Sequence, residues 1–347
     1  MHRTTLKDIS KTVGCSVNSV SLALKNSPRI SEEMKKQIIR TAKEMDYIPN
    51  NAARSLVLGK SRTIGLILSS LHSNFMISEA SYIEKILSQM GYSLSIVTSQ
   101  SNVKTETNAI NLMISGKVDG LLINTNYIQN IPRLESLRND GFPVVLLSSI
   151  PERKITVDSV YPDLYAGSYM ATKHLLDMGH KRVIYVCGHA NVRDALKRNA
   201  KAKGFRKAIE DSEIPFSNDM ILPAMIGYTN QQMSYGIKIS DDLLDKIRHE
   251  TALFFGEDEF AIPVMKHLTD NNISIPYDIA VSSMDNTQFA ESAVVSLTSV
   301  GFDTLEIAES AVEMLMQIIK NDGTNKSHQK KPMLPKLYIR DSCGNKS

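Results

Sequence analysis

Over residues 1–46 the apolar positions recur at the three-to-four spacing of short amphipathic helices. Leu6, Ile9 and Val13 share one face of a first segment. Thr5-Leu6-Lys7-Asp8 opens it as a capping box, in which hydroxyl and carboxylate each satisfy an orphan backbone N–H, and Gly14 closes it. Ser16 is placed to cap a second segment, Val17–Leu24, with Val20, Ala23 and Leu24 turned inward, and the joint between the two is very short. Ser31, followed by Glu32 and Glu33 in the favourable first turn, opens a third segment whose Met34, Ile38, Ala42 and Met45 face the same core. Two short helices around a tight glycine-containing turn, with a supporting helix, predict a helix-turn-helix unit.

After Tyr47-Ile48-Pro49, the segment Asn50–Leu56 with Gly59-Lys60-Ser61 is too short to be a stable helix alone and reads as a conditional hinge. From Arg62 onward the texture changes. Apolar runs of strand length, at Ile64–Leu68, Ser93–Val97, Val118–Ile123 and Val144–Leu147, alternate with helical stretches. A second series follows at Val183–Cys187, Ala252–Phe255 and Ile279–Ser282. This is the spacing of parallel βαβ units. Ser61-Arg62-Thr63-Ile64 and His180-Lys181-Arg182-Val183 both place basic residues before a first strand. The expected architecture is α/β, with two similar doubly wound lobes and a ligand cleft between them. Polar residues Asn321–Lys331 separate the last long helix from a short terminal strand.

The chain has 347 residues, 42% hydrophobic and 22% charged, which excludes collagen-like, low-complexity and wholly disordered classes. Its net charge of +3 is unevenly spread: residues 1–60 hold 11 Lys and Arg against 5 Asp and Glu, the remainder 29 against 32. A basic head on a slightly acidic body suits attraction to nucleic acid. Cys15, Cys187 and Cys343 are too scattered for a disulfide framework or a CxxC metal site, and neither metal nor cofactor is expected. GxGxxG, GxxxxGK[ST], GxSxG and HExxH are all absent, so catalysis is not expected. No apolar run approaches the roughly 18 residues of a membrane helix, and the start Met1-His2-Arg3-Thr4-Thr5 lacks a signal-peptide core. A cytoplasmic protein without a membrane partner is expected.

Four stretches together resemble the lactose/galactose repressor (LacI/GalR) family of bacterial transcriptional regulators. They are Thr5–Ser21; Tyr47–Asn50 with Ala52–Leu56; Arg62–Leu66; and His174–Leu176 through Gly179–Val183 with the end Leu334–Cys343. The resemblance implies a helix-turn-helix head at 1–49, a hinge helix at 50–60, and a two-lobed periplasmic-binding-protein-like core. Its first lobe is expected at 61–161 and 289–324, its second at 162–288 and 325–347. It assigns base reading to Val17, Asn18 and Leu22 on the second helix. Asn18 suits adenine, while Val17 and Leu22 offer apolar contact to a thymine methyl. The family often has arginine where Leu22 stands, so an altered operator preference is expected. Thr5, Ser16, Ser21 and Asn50 are candidate phosphate partners. In the hinge, with Arg54 between them, Ala53 and Leu56 share a helical face. Leu56 either wedges a central base step of the minor groove in a homodimer or packs between head and core.

For the core, the resemblance implies a small polar effector, and names Phe75, Asp163, Lys201, Glu257 and Asp285 as its contacts. Lys201 stands where the family usually carries a clamping arginine, and Glu257-Asp258 where it tends to have Asn-Asp. Pro162 disturbs the pattern around Asp163. A sugar or sugar derivative is the expected effector. An amino-bearing ligand, and a Lys201–Glu257 ion pair in a pocket without an effector, stay open. The expected function is therefore an allosteric repressor that binds a pseudo-palindromic operator as a homodimer. The alternatives are a transport-type sugar-binding protein and a DNA-binding regulator controlled by a protein partner.

Overall fold

The computed structural model describes residues 4–47, 60–125, 127–148, 155–187, 192–223, 251–321, 323 and 327–344. The hinge positions Asn50, Ala53, Arg54 and Leu56 lie outside these residues. The chain divides into two compact units, Met1–Ser61 and Arg62–Ser347.

The first unit contains α1 (Leu6–Val13), α2 (Val17–Leu24) and α3 (Glu32–Glu44). Each begins where the sequence places a cap. Thr5 and Asp8 close a reciprocal capping box on α1, Ser16 accepts from the Ser19 N–H, and Ser31 accepts from the Met34 N–H. Gly14 ends α1 at φ +75°, a conformation that costs a residue with a Cβ energy, which is why glycine stands there. Ile9, Val20, Ala23, Ile38 and Ala42 form the buried core, with Leu6, Val13, Met34 and Met45 packed around it. Leu24, expected to face inward, is exposed, because it sits at the last position of α2 on the margin of that stripe. The Thr4 hydroxyl donates to the Met45 carbonyl at 2.8 Å and ties the start of the head to the end of α3.

Among the described residues, the second unit is built on two six-stranded sheets. The first runs β11-β5-β4-β3-β1-β2, from β1 (Thr63–Leu68), β2 (Ser93–Thr98), β3 (Gly120–Ile123), β4 (Val144–Leu146), β5 (Asp158–Pro162) and β11 (Lys330–Met333). The second runs β12-β10-β9-β8-β6-β7, from β6 (Arg182–Cys187), β7 (Ile221–Pro223), β8 (Thr251–Phe255), β9 (Ala280–Met284), β10 (Thr298–Gly301) and β12 (Lys336–Tyr338). All pairs are parallel except β10 with β12. Helices cover both faces, so β1 and β9 read as nearly continuous buried runs.

Strand pairing moves the expected lobe boundaries. Residues 289–324 do not return to the first lobe as a block, since β10 pairs with β9 in the second sheet. Residues 325–347 do not all belong to the second, since β11 pairs with β5 in the first. Backbone hydrogen bonding, rather than chain order, decides the lobe of each strand. The chain crosses between lobes after β5, after β10 and after β11, all at the β11/β5 edge of one sheet and the β12/β10 edge of the other.

The helices that position the site are α4 (Asn74–Gln89), α5 (Val103–Ser115), α6 (Ile131–Asn139), α7 (Leu164–Asp177), α8 (Val192–Arg198), α9 (Ala200–Asp211), α10 (Asp258–Asp270), α11 (Gln288–Ser292) and α12 (Thr304–Lys320). Helices α7 and α9 pack closely because Gly204 has no Cβ, which would lie 2.2 Å from the Tyr165 carbonyl oxygen. Among the described residues, no helix is long and apolar enough to cross a membrane.

Candidate DNA-reading helix and effector cleft

In the head, the local signals that end α1 and start α2 also aim the second helix. Val20 and Ala23 are buried, which turns Val17 and Asn18 outward and leaves Ser21 and Leu22 half-exposed. Val17 is 43% exposed. An apolar side chain left in water at the start of a helix is suited to burial against another apolar surface such as a base methyl. Thr5 and Ser16 are exposed and serve as N-caps; Ser16 Oγ lies 3.0 Å from the Ser19 nitrogen and 2.9 Å from Ser19 Oγ.

In the core, parallel strands place the residues that follow their C-terminal ends at one rim of each sheet, where open α/β sheets bind ligands. At that rim of the second lobe, β9 is followed by Asp285 and Asn286, both at positive φ, +100° and +45°. Neither is glycine, so this turn is strained and persists because its surroundings hold it. The Asp285 N–H donates to the Val300 carbonyl at 2.8 Å. The Asn286 N–H donates to Ser299 Oγ at 3.0 Å, and Arg340 Nη2 donates to Asn286 Oδ1 at 2.7 Å. Gly301 makes room, since a Cβ there would meet the Asn286 Cβ at 2.6 Å.

Around Asp285 the chemistry is acidic. Burial pushes its carboxyl well above the usual carboxylate range; Lys201 opposes that shift, and Glu257, Asp258 and Glu259 add to it. Lys201 is itself buried. Burial works against its charge, but Asp285, Glu257 and Glu259 outweigh that and hold it above the ordinary lysine range. Its ammonium donates to the Gly256 carbonyl and lies 3.7 Å from Glu257 Oε1. Asp258 is fully buried and accepts from Ser283 Oγ, Ser299 Oγ, Thr287 Oγ1 and the Thr287 N–H. Phe75, on α4 of the first lobe, packs into the same apolar cluster as Phe302 and meets it edge-on with ring centroids 6.5 Å apart. One oxygen of Glu259 accepts from both the backbone N–H and the side-chain amide of Asn74, at 2.7 and 2.9 Å.

Residues 5–50 match the bacterial regulatory proteins, lacI family, and residues 172–343 match the periplasmic binding protein-like domain. The chain is 27% identical over 323 residues to catabolite control protein A of Priestia megaterium, covering 93% of this chain and 95% of that protein. It is 26% identical over 340 residues to the HTH-type transcriptional repressor PurR of Vibrio parahaemolyticus, covering 97% and 98%. In fold it matches the lac repressor dimer bound to operator and the anti-inducer ONPF, with a TM-score of 0.83 at 20% identity, covering 99% of this chain and 100% of that one. The transcriptional regulator CelR–cellobiose complex matches with a TM-score of 0.68 at 20% identity, covering 98% and 100%.

The chain belongs to the lacI family. It is a DNA-binding transcriptional regulator, as its relatives are. Of the residues that the resemblance to this family assigns to the effector, the structure gathers Lys201, Glu257 and Asp285 at one rim and places Phe75 on the wall formed with Phe302. In this lacI-family member the lysine at the arginine position is already engaged by Gly256 and Glu257. Asp163 is the N-cap of α7, accepting from the Ala166 N–H at 3.0 Å. Sequence reasoning missed the roles of Asn74 and Glu259, whose partnership spans 185 positions. It also missed that Asp258, acidic like its neighbours, is a bonding centre for four donors; the hydroxyls of Ser283, Thr287 and Ser299 were the signal that points to it.

Proposed function

We propose that this lacI-family regulator is a repressor that acts as a homodimer on a pseudo-palindromic operator and is controlled by a small hydroxylated ligand, a sugar or sugar derivative, in the cleft of its core. The observation that carries this reading is the pairing in one chain of an outward-facing α2, bearing exposed Val17 and Asn18, with a two-lobed core that gathers Lys201 and Glu257 beside the strained Asp285 turn at the C-terminal rim of its second sheet. A homodimer supplies two heads for two half-sites. The effector acts through its differential affinity for two lobe orientations, and the sign, induction or corepression, depends on which orientation it prefers. Relatives whose names record repression, and neighbours solved with operator or cellobiose, support the reading.

The test is selection of genomic DNA fragments by the purified full chain at near-physiological salt, because at low ionic strength phosphate contacts alone give unselective binding. Enrichment of a pseudo-palindrome is the expected result; no enrichment, with and without a cell metabolite extract, defeats the operator claim. On the enriched fragment, Leu56→Ala is expected to lower specific affinity by about tenfold or more while the fold and the dimer persist, from loss of the minor-groove wedge. Unchanged affinity removes that role. Asp285→Ala is expected to abolish the metabolite response with DNA binding intact, read as the shift in affinity on adding the extract. A normal response would move the pocket elsewhere.

A further inference from the structure

The lobes of the core are joined covalently by its crossovers, and these lie at one edge of each sheet, beside β5 and β11 in the first and β10 and β12 in the second. A contact near that edge has little leverage over closure. Asn74 follows β1, three strand positions from β5, and Glu259 follows β8, two strand positions from β10. At about 4.8 Å per strand, that sets them roughly 14 and 10 Å from the hinge edge. We propose that the Asn74–Glu259 contact is a clasp that holds the two lobes of the core in one relative orientation, and that the effector controls the regulator by changing how often this clasp is closed. The second half rests on the ligand-controlled reading above; the clasp itself does not.

The bonding is built for such a role. Asn74 is the first residue of α4, so its N–H is one of the orphan donors at the positive end of a helix. Ser73, the cap residue of the same lobe, serves the Met76 N–H instead. The Asn74 N–H is satisfied by a carboxylate from the other lobe, which also takes the Asn74 side-chain amide on the same oxygen. Opening the lobes therefore strips a helix end of an anionic partner and separates a charge-assisted pair in one movement, which gives two discrete states instead of a continuum. Glu259 is not free to substitute a near neighbour for Asn74, because the residues beside it in the first turn of α10 are engaged elsewhere. Asp258 is held by Ser283, Ser299 and Thr287, and Glu257 stands beside Lys201. Phe75, next in the chain to Asn74, and Glu257, two before Glu259, are candidate effector contacts, so a ligand in the cleft acts on the residues adjoining both halves of the clasp.

The experiment measures the inter-lobe distance in the full chain by electron–electron double resonance, with spin labels at Lys104→Cys in the first lobe and Lys266→Cys in the second. Both positions are exposed, and Cys15→Ser removes the thiol of the head that is not buried. Asn74→Ala and Glu259→Ala are each expected to move the main distance outward by several ångströms or add a longer population, and the double variant is expected to do no more than either alone. An unchanged distribution in both single variants, or additive effects of the two, overturns the clasp. Should Glu259→Ala not fold, Glu259→Gln takes its place and is expected to give an intermediate shift, its neutral oxygen accepting more weakly. Affinity for the selected DNA fragment is measured on the same variants with and without metabolite extract. A distance shift with no change in DNA affinity or in metabolite response leaves the clasp standing and overturns its regulatory half; a changed metabolite response supports both.

Discussion

Replacing Glu79 with glutamine will stabilise the core progressively as pH rises from 5 to 8. Glu79 lies on α4 one turn beyond Phe75, is 1% exposed, and its Oε2 has no hydrogen-bond partner among the described residues. Burial pushes its pKa from 4.5 up to about 8. The sign follows from linkage. Below about pH 4.5 the carboxyl is protonated in the folded and the unfolded chain, and it imposes no pH-dependent cost. Above that, the unfolded chain loses the proton while the fold retains it, so the native state is penalised increasingly until about pH 8. At about 1.4 kcal/mol per unit, the cost at pH 7 is roughly 3 kcal/mol. The difference in urea unfolding free energy between the Glu79→Gln variant and the parent is expected to change by about that much between pH 5 and pH 8. A difference that does not vary with pH would show that the carboxyl has found a partner. Glu79→Leu, which also removes the buried amide, is expected to gain more at every pH.

Asp258→Ala is expected to cost on the order of 4 kcal/mol in core stability. This carboxylate, with no exposure to solvent, joins α10 to β9 through Ser283, to β10 through Ser299, and to the segment before α11 through the Thr287 hydroxyl and N–H. Truncation leaves these donors buried without an acceptor, and each orphaned polar group costs about 1–3 kcal/mol. Asp258→Asn keeps one acceptor oxygen but turns an amide NH2 toward groups that already donate, so it is expected to recover little. Denaturant unfolding of the core reads both. A loss under about 1 kcal/mol for the alanine variant would mean that water replaces the carboxylate and that α10 is held by its apolar face instead. The head, with its own core of Ile9, Val20, Ala23, Ile38 and Ala42, is expected to keep its helical signal in either variant.

What could be read in advance differed between the two units. The head's three helices were legible nearly to the residue, because caps and the Gly14 stop are interactions between positions a few apart. In the core, β1, β2, β3, β4, β6, β8 and β9 were legible as apolar runs. By contrast β5, with Asp158 and Ser159, and β10, with Thr298 and Ser299, were not, since their polar side chains are buried against distant partners. Asp158 is satisfied by Arg138 and by the Gln329 N–H, Ser299 by Asp258, and Thr298 Oγ1 by its bond to the Arg340 carbonyl. A polar residue whose partner is remote in the chain reads locally as loop. The same limit applies at the cleft. Asp285 and Lys201 were named through resemblance, yet that Lys201 is engaged by Gly256, and that Asp285 sits on a strained turn braced by Arg340, emerges only when the strands are assembled.

Helix starts and stops, strand periodicity and the basic character of the first 60 residues were therefore determined by the sequence alone, because each is a short-range preference of backbone or charge. The lobe to which β10 and β11 belong, the four donors that converge on Asp258, and the Asn74–Glu259 clasp were decided by the tertiary structure. Those outcomes depend on which distant segments exclude water from one another, and no local pattern carries that information.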